Sequence, residues 1–114
     1  MEIVDTFTAN IYVGLHNIDK DITYDIILVK SICSDYCNEV GGCVTVTPTK
    51  FIYTKGQEKG CIVGFINYPR FPSDMNTILK RALDLAERLR VELGQRRVSV
   101  VTTNKTYMLG ERDD

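Results

Sequence analysis

Phe7, Ala9, Ile11, Val13 and Leu15 alternate with Thr8, Asn10, Tyr12 and Gly14, the period of two that a strand with one face on a core requires. The spacing predicts a first strand over 6–15. Polar and charged residues over 16–21 read as a loop. Beyond it Thr23 is placed to cap a helix whose apolar stripe is Ile26, Val29, Cys33, Tyr36, Cys37 and Val40. Gly41 and Gly42 end that helix, because glycine takes a left-handed backbone without a side-chain clash.

The β-branched and aromatic run 43–54 predicts extended chain, but Pro48 has no amide hydrogen for a ladder, so two short strands or one bent edge strand are expected. A polar loop over 55–59 turns the chain back into a strand over 61–68. That strand is apolar at odd and even positions alike and reads as central in the sheet and covered on both faces. Pro69, Phe71 and Pro72 stop it, and Ser73 is expected to cap a second helix with Ile78, Leu79, Ala82, Leu85, Ala86, Leu89 and Leu93 on one stripe, closed by Gly94. Lys80, Asp84, Arg88 and Glu92, spaced by four with alternating sign, mark its solvated face. Residues 97–103 predict a strand, 104–105 a turn and 106–109 a short last strand, after which the tail ERDD is expected to fray.

The order β-α-β-β-α-β with short extra strands predicts an α+β two-layer sandwich: an antiparallel sheet with two helices on one face, in split βαβ, ferredoxin-like order. One sheet face is then uncovered. Either orientation of the strand 61–68 puts Ile66 and Tyr68 or Val63 and Phe65 there, so a homo-oligomer, dimer or higher, is expected to cover it.

A chain of 114 residues, 44% of them hydrophobic, suits one domain over 1–114. Its net charge of −1 excludes a duplex nucleic acid held by broad phosphate neutralisation. No apolar run is long enough to span a membrane, and Glu2 and Asp5 break any signal-peptide pattern, so a soluble cytoplasmic protein is expected. Cys33, Cys37, Cys43 and Cys61 lack the spacing of a zinc site and read as small buried apolar residues; no metal and no cofactor is expected.

No catalytic residues are assigned. His16 stands alone in its loop, and there is neither a phosphate-binding glycine loop nor a nucleophile with a base beside it. The residues that do suit a ligand are Asn67, Tyr68, Arg70 and Phe71, which join an amide, two rings and a guanidinium just before a helix amino terminus. A hydrophobic cap with Arg70 in water fits the same residues. Arg97, with Thr103 and Asn104 further along, would line an anionic pocket built with a neighbouring subunit, whereas Arg88, Arg90, Arg96 and Arg97 also simply complement a helix carboxyl end.

The phrase NIYVGL at 10–15, the helix-glycine-strand passage, the strands around KGQEKG at 55–60 and GQRRVSVV at 94–101 together resemble a family of small phage anti-defence sponges that act against the bacterial Thoeris system. The resemblance is one of layout, length and short phrases. It implies a non-enzymatic protein of the infected host's cytoplasm that binds a cyclic ADP-ribose isomer, with cyclic oligonucleotides as further ligands in some members. A structural or protein-binding module and a weak nucleotide hydrolase are the alternatives.

Overall fold

In the computed structural model, which describes residues 1–3, 5–66 and 74–111, the alternating amino-terminal stretch forms β1 (Thr8–Gly14). Its inward residues Ala9, Ile11 and Val13 are buried against the helices. A small hairpin follows, β2 (His16–Asn17) paired with β3 (Ile22–Thr23), where a plain loop is predicted. Two-residue strands carry no period, which is why the pattern misses them. Thr23 belongs to β3, and Asp25 caps α1 (Ile26–Val40) instead: its extended backbone aims the carboxylate at the Ile27 amide, 2.9 Å away. Gly41, at φ 72°, ends α1 by donating to the Cys37 carbonyl.

β4 (Thr45–Tyr53) is one uninterrupted strand. Pro48 does not split it, because β4 lies at the sheet edge, where a missing amide hydrogen need not cost a ladder bond. The expected loop at 55–59 contracts to a tight turn at Thr54–Lys55, so β5 (Gly56–Ile66) begins earlier than the apolar pattern suggests. Asp74 caps α2 (Met75–Glu92) by accepting the Thr77 amide hydrogen at 2.7 Å; Ser73 lies outside the described residues. β6 (Arg97–Thr102) and β7 (Thr106–Gly110) close the chain. Glu111 still donates its amide hydrogen to Arg96, and the rest of the tail lies outside the described residues.

The five-stranded sheet runs β4-β5-β1-β6-β7, antiparallel throughout, with both helices on one face. This is the expected α+β sandwich of split βαβ order with an extra edge strand. The centre is β1, however, not β5. Cys61, Val63 and Phe65 of β5 face the core, while Ile66 on the opposite face is 38% exposed. Tyr12, Ile62 and Met108 share that uncovered face with Asn10, Thr45, Thr47 and Ser99.

The two helices are tied by charge as well as by packing. Arg88 donates two hydrogen bonds to Glu39 at 2.7 and 2.8 Å and lies 4.8 Å from the Tyr36 ring centre, and Arg81 reaches the Val40 carbonyl at 3.2 Å. Arg88 therefore bridges to α1 rather than serving a purely solvated face.

Candidate functional site

Beyond the ends of β1 the β4–β5 hairpin continues as an arm, because β5 pairs with β1 only as far as Gly60. Leu15 fixes the base of this arm from both sides: its amide donates to Lys59 at 3.0 Å, and its carbonyl accepts the Tyr24 amide hydrogen at 2.8 Å. The small hairpin is thereby folded back so that Tyr24, Asp25 and Ile26 face the arm. The result is a cleft of about 520 Å³, with Leu15, Tyr24 and Ile26 on one side, Pro48 and Thr49 on the other, and Lys50, Lys59 and Asp25 as its charged groups.

Gly60 makes the cleft's base possible. A side chain there would meet the Val13 carbonyl at 2.8 Å and the Phe51 ring closer still. An aromatic ring beside apolar carbon, one carboxylate and two ammonium groups are the ingredients of a site for a small organic ligand carrying charge, and the volume is that of an ordinary ligand pocket.

The residues expected from sequence fall elsewhere. Asn67, Tyr68, Arg70 and Phe71 lie outside the described residues. Thr103 and Asn104 form the β6–β7 turn, where the Thr103 hydroxyl accepts the Thr8 amide hydrogen at 3.3 Å and Thr102 braces the turn through Lys105. Since Thr8 pairs with Ile66, this turn stands at the sheet end where β5 finishes. Arg97 starts β6 and so lies at the opposite end, away from Thr103 and Asn104 within one subunit.

Arg97 instead borders a polar corner with His16, Glu58 and Gln95. Much of that corner is engaged within the chain. The Gln95 carboxamide donates to the His16 carbonyl at 2.8 Å, Arg96 pairs with Asp19 at 2.8 Å, and His16 lies 2.9 Å from the Thr23 hydroxyl and 3.3 Å from Asp21. The corner clasps the small hairpin to the end of α2. Arg90 likewise pairs with Glu87, so these arginines serve ion pairs more than the helix dipole.

The four cysteines are free, and burial pushes the Cys33 and Cys61 thiols up to about 12 and about 11. Neither supplies a thiolate nucleophile. Among the described residues no group of three His, Cys, Asp or Glu is placed to hold a metal, and no helix is long and apolar enough to cross a membrane.

No family model and no curated protein matches the chain. Solved structures do. A phage SAM lyase in complex with S-methyl-5'-thioadenosine superposes with TM-score 0.80 at 21% identity, covering 97% of this chain and 95% of that one. A phage SAM lyase in the apo state gives 0.70 at 20% identity over 100% of this chain and 98% of the other. A de novo designed protein, Foldit4, gives 0.54 at 19% identity over 89% and 99%.

Two expectations change. The likeness is to phage lyases and a designed protein, not to Thoeris sponges. The expectation of a non-enzymatic protein is corrected too: the whole-length fold is shared with lyases, which are enzymes. That expectation came from the resemblance to the sponge family, with which the lack of a nucleophile-base pair merely agreed.

Proposed function

We propose that this chain binds an adenosine-containing small molecule in the cleft between α1 and the β4–β5 arm, and cleaves S-adenosylmethionine there as a lyase. The observation that carries this reading is the superposition at TM-score 0.80, over 97% of the chain, on a phage SAM lyase holding S-methyl-5'-thioadenosine. The cleft supports it from the chain's own residues. The Tyr24 ring suits the face of a purine, and Asp25, exposed at the helix start with one carboxylate oxygen on the Ile27 amide, has the other for ribose hydroxyls or a cationic group.

In the reaction the bond from sulfur to the Cγ carbon of the methionine side chain breaks, and its electron pair stays on sulfur, leaving a neutral thioether. The four-carbon fragment balances its charge by losing a β proton or by closing onto its own carboxylate. No oxidant, metal or water is consumed. The cleft's part is to hold the chain bent and to keep water from competing.

The test is to incubate the purified protein with S-adenosylmethionine and identify products by mass spectrometry. S-methyl-5'-thioadenosine together with homoserine lactone or vinylglycine is expected. Folded protein that leaves the substrate intact overturns the lyase reading. The resemblance to the sponge family favours a cyclic ADP-ribose isomer as a second ligand of the same adenosine class, to be sought by heating protein exposed to lysate with an active TIR enzyme and identifying what is released. Self-association belongs to the same proposal: Ile66 and Met108 on the uncovered face, with Ile52 and Tyr53 on the arm, support a mass that is a multiple of 12.9 kDa in light scattering.

A further inference from the structure

Lys50 and Lys59 stand directly opposite each other across β4 and β5, and both line the cleft. Like charges in directly opposed positions of an antiparallel pair repel, since their Cβ atoms are only about 5 Å apart. Neither lysine has an acidic partner among the described residues. A lysine on an exposed edge strand has an ordinary explanation, the discouragement of edge-to-edge pairing, and that covers Lys50 on β4. It does not cover Lys59. There β5 has just passed its last residue paired with β1, and its carbonyl on that side already accepts the Leu15 amide hydrogen, so no free edge is left at Lys59 to guard.

We infer that the Lys50–Lys59 pair is an anion subsite, which takes the carboxylate or phosphate tail of the nucleoside held in the cleft. The inference rests on the cleft being the nucleoside site. The two ammonium groups meet an anion from both sides of one strand pair, which relieves their mutual repulsion only when ligand is present. Asp25, on the α1 side of the same cleft, keeps the anion toward the arm, and the carboxylate oxygen not bonded to the Ile27 amide accepts from an amino or hydroxyl group of the same ligand. The cleft therefore selects nucleosides with an anionic tail over neutral ones.

Three probes with the same adenosine separate the possibilities: S-methyl-5'-thioadenosine, which is neutral; S-adenosylhomocysteine, which adds a carboxylate and is not a sulfonium; and 5'-AMP, which carries phosphate. Calorimetric affinities are compared for the native protein and Lys50→Gln/Lys59→Gln, both exposed positions whose change leaves the core intact. We expect S-adenosylhomocysteine or 5'-AMP to bind the native protein at least tenfold more tightly than the neutral probe. Whichever does so names the tail. The advantage should disappear in the double variant and shrink with added salt, while the neutral probe binds both proteins alike.

Equal affinities for all three in the native protein, or an advantage that survives in the double variant, overturn the subsite and leave the nucleoside site standing. Failure of all three to bind the native protein overturns the nucleoside site and the subsite together.

Discussion

Gly60 is where backbone geometry and the cleft depend on a single residue. A Cβ there would sit 2.8 Å from the Val13 carbonyl oxygen, part of the central strand that cannot move aside cheaply, and against the Phe51 ring. Gly60→Ala is expected to lower stability by about 1–3 kcal/mol, as overpacking does, seen as an earlier denaturant midpoint with an unchanged slope. At the same scale the cysteines divide into two classes. Cys33 and Cys61 are buried with thiols pushed far above neutrality, whereas Cys37 and Cys43 are only half-buried, although burial raises the Cys37 thiol as well. Iodoacetamide at pH 8 should label Cys37 and Cys43 first, and mass spectrometry of the native protein should find Cys33 and Cys61 unmodified until it unfolds. Which residues are small and which are apolar was plain from composition, but not the reason Gly60 must be glycine. That requires Phe51 and Val13, which only the three-stranded pairing brings to it.

Among the elements, the two helices and the main strands follow from periodicity: the stripe from Val29 to Tyr36 and the one from Ile78 to Leu93 are the buried faces observed. What periodicity leaves out is order in space. Pro48 looks like a break only if β4 is assumed to need every ladder bond, and β5 looks central only because its odd and even positions are both apolar. The cleft was illegible for a related reason. Its residues come from four separate stretches: Leu15 just after β1, Tyr24 to Ile26 at the start of α1, the middle of β4, and β5 at Lys59 and Gly60.

Lys59→Glu converts the opposed like charges into an opposed ion pair and is expected to raise stability by about 0.2–1 kcal/mol, measured by thermal melting, while weakening anionic ligands. Acid should loosen the helix layer. Hydrogen bonds from Arg88 hold the Glu39 carboxyl below its ordinary value, and the Thr77 amide does the same for Asp74. Groups lowered in the folded state contribute stability that is full above the ordinary carboxylate range and is lost as pH falls through it and through their lowered native values. Melting temperature should fall over that acid window, and Glu39→Gln/Asp74→Asn should flatten the fall.

For the whole molecule, a two-layer fold by itself prescribes no function, so the proposed activity has to be located in a site. Two ends of the sheet compete for it. At one, Thr103 and Asn104 stand where β5 finishes; at the other, α1 and the β4–β5 arm enclose the cleft. The deciding measurement is a titration of isotope-labelled protein with S-methyl-5'-thioadenosine, followed through backbone amide resonances. The largest shifts are expected at Leu15, Tyr24, Ile26, Thr49 and Gly60, around the cleft. Shifts gathered instead at Thr8, Thr103, Asn104 and Lys105, or no shifts at saturating nucleoside, would contradict the cleft as the nucleoside site.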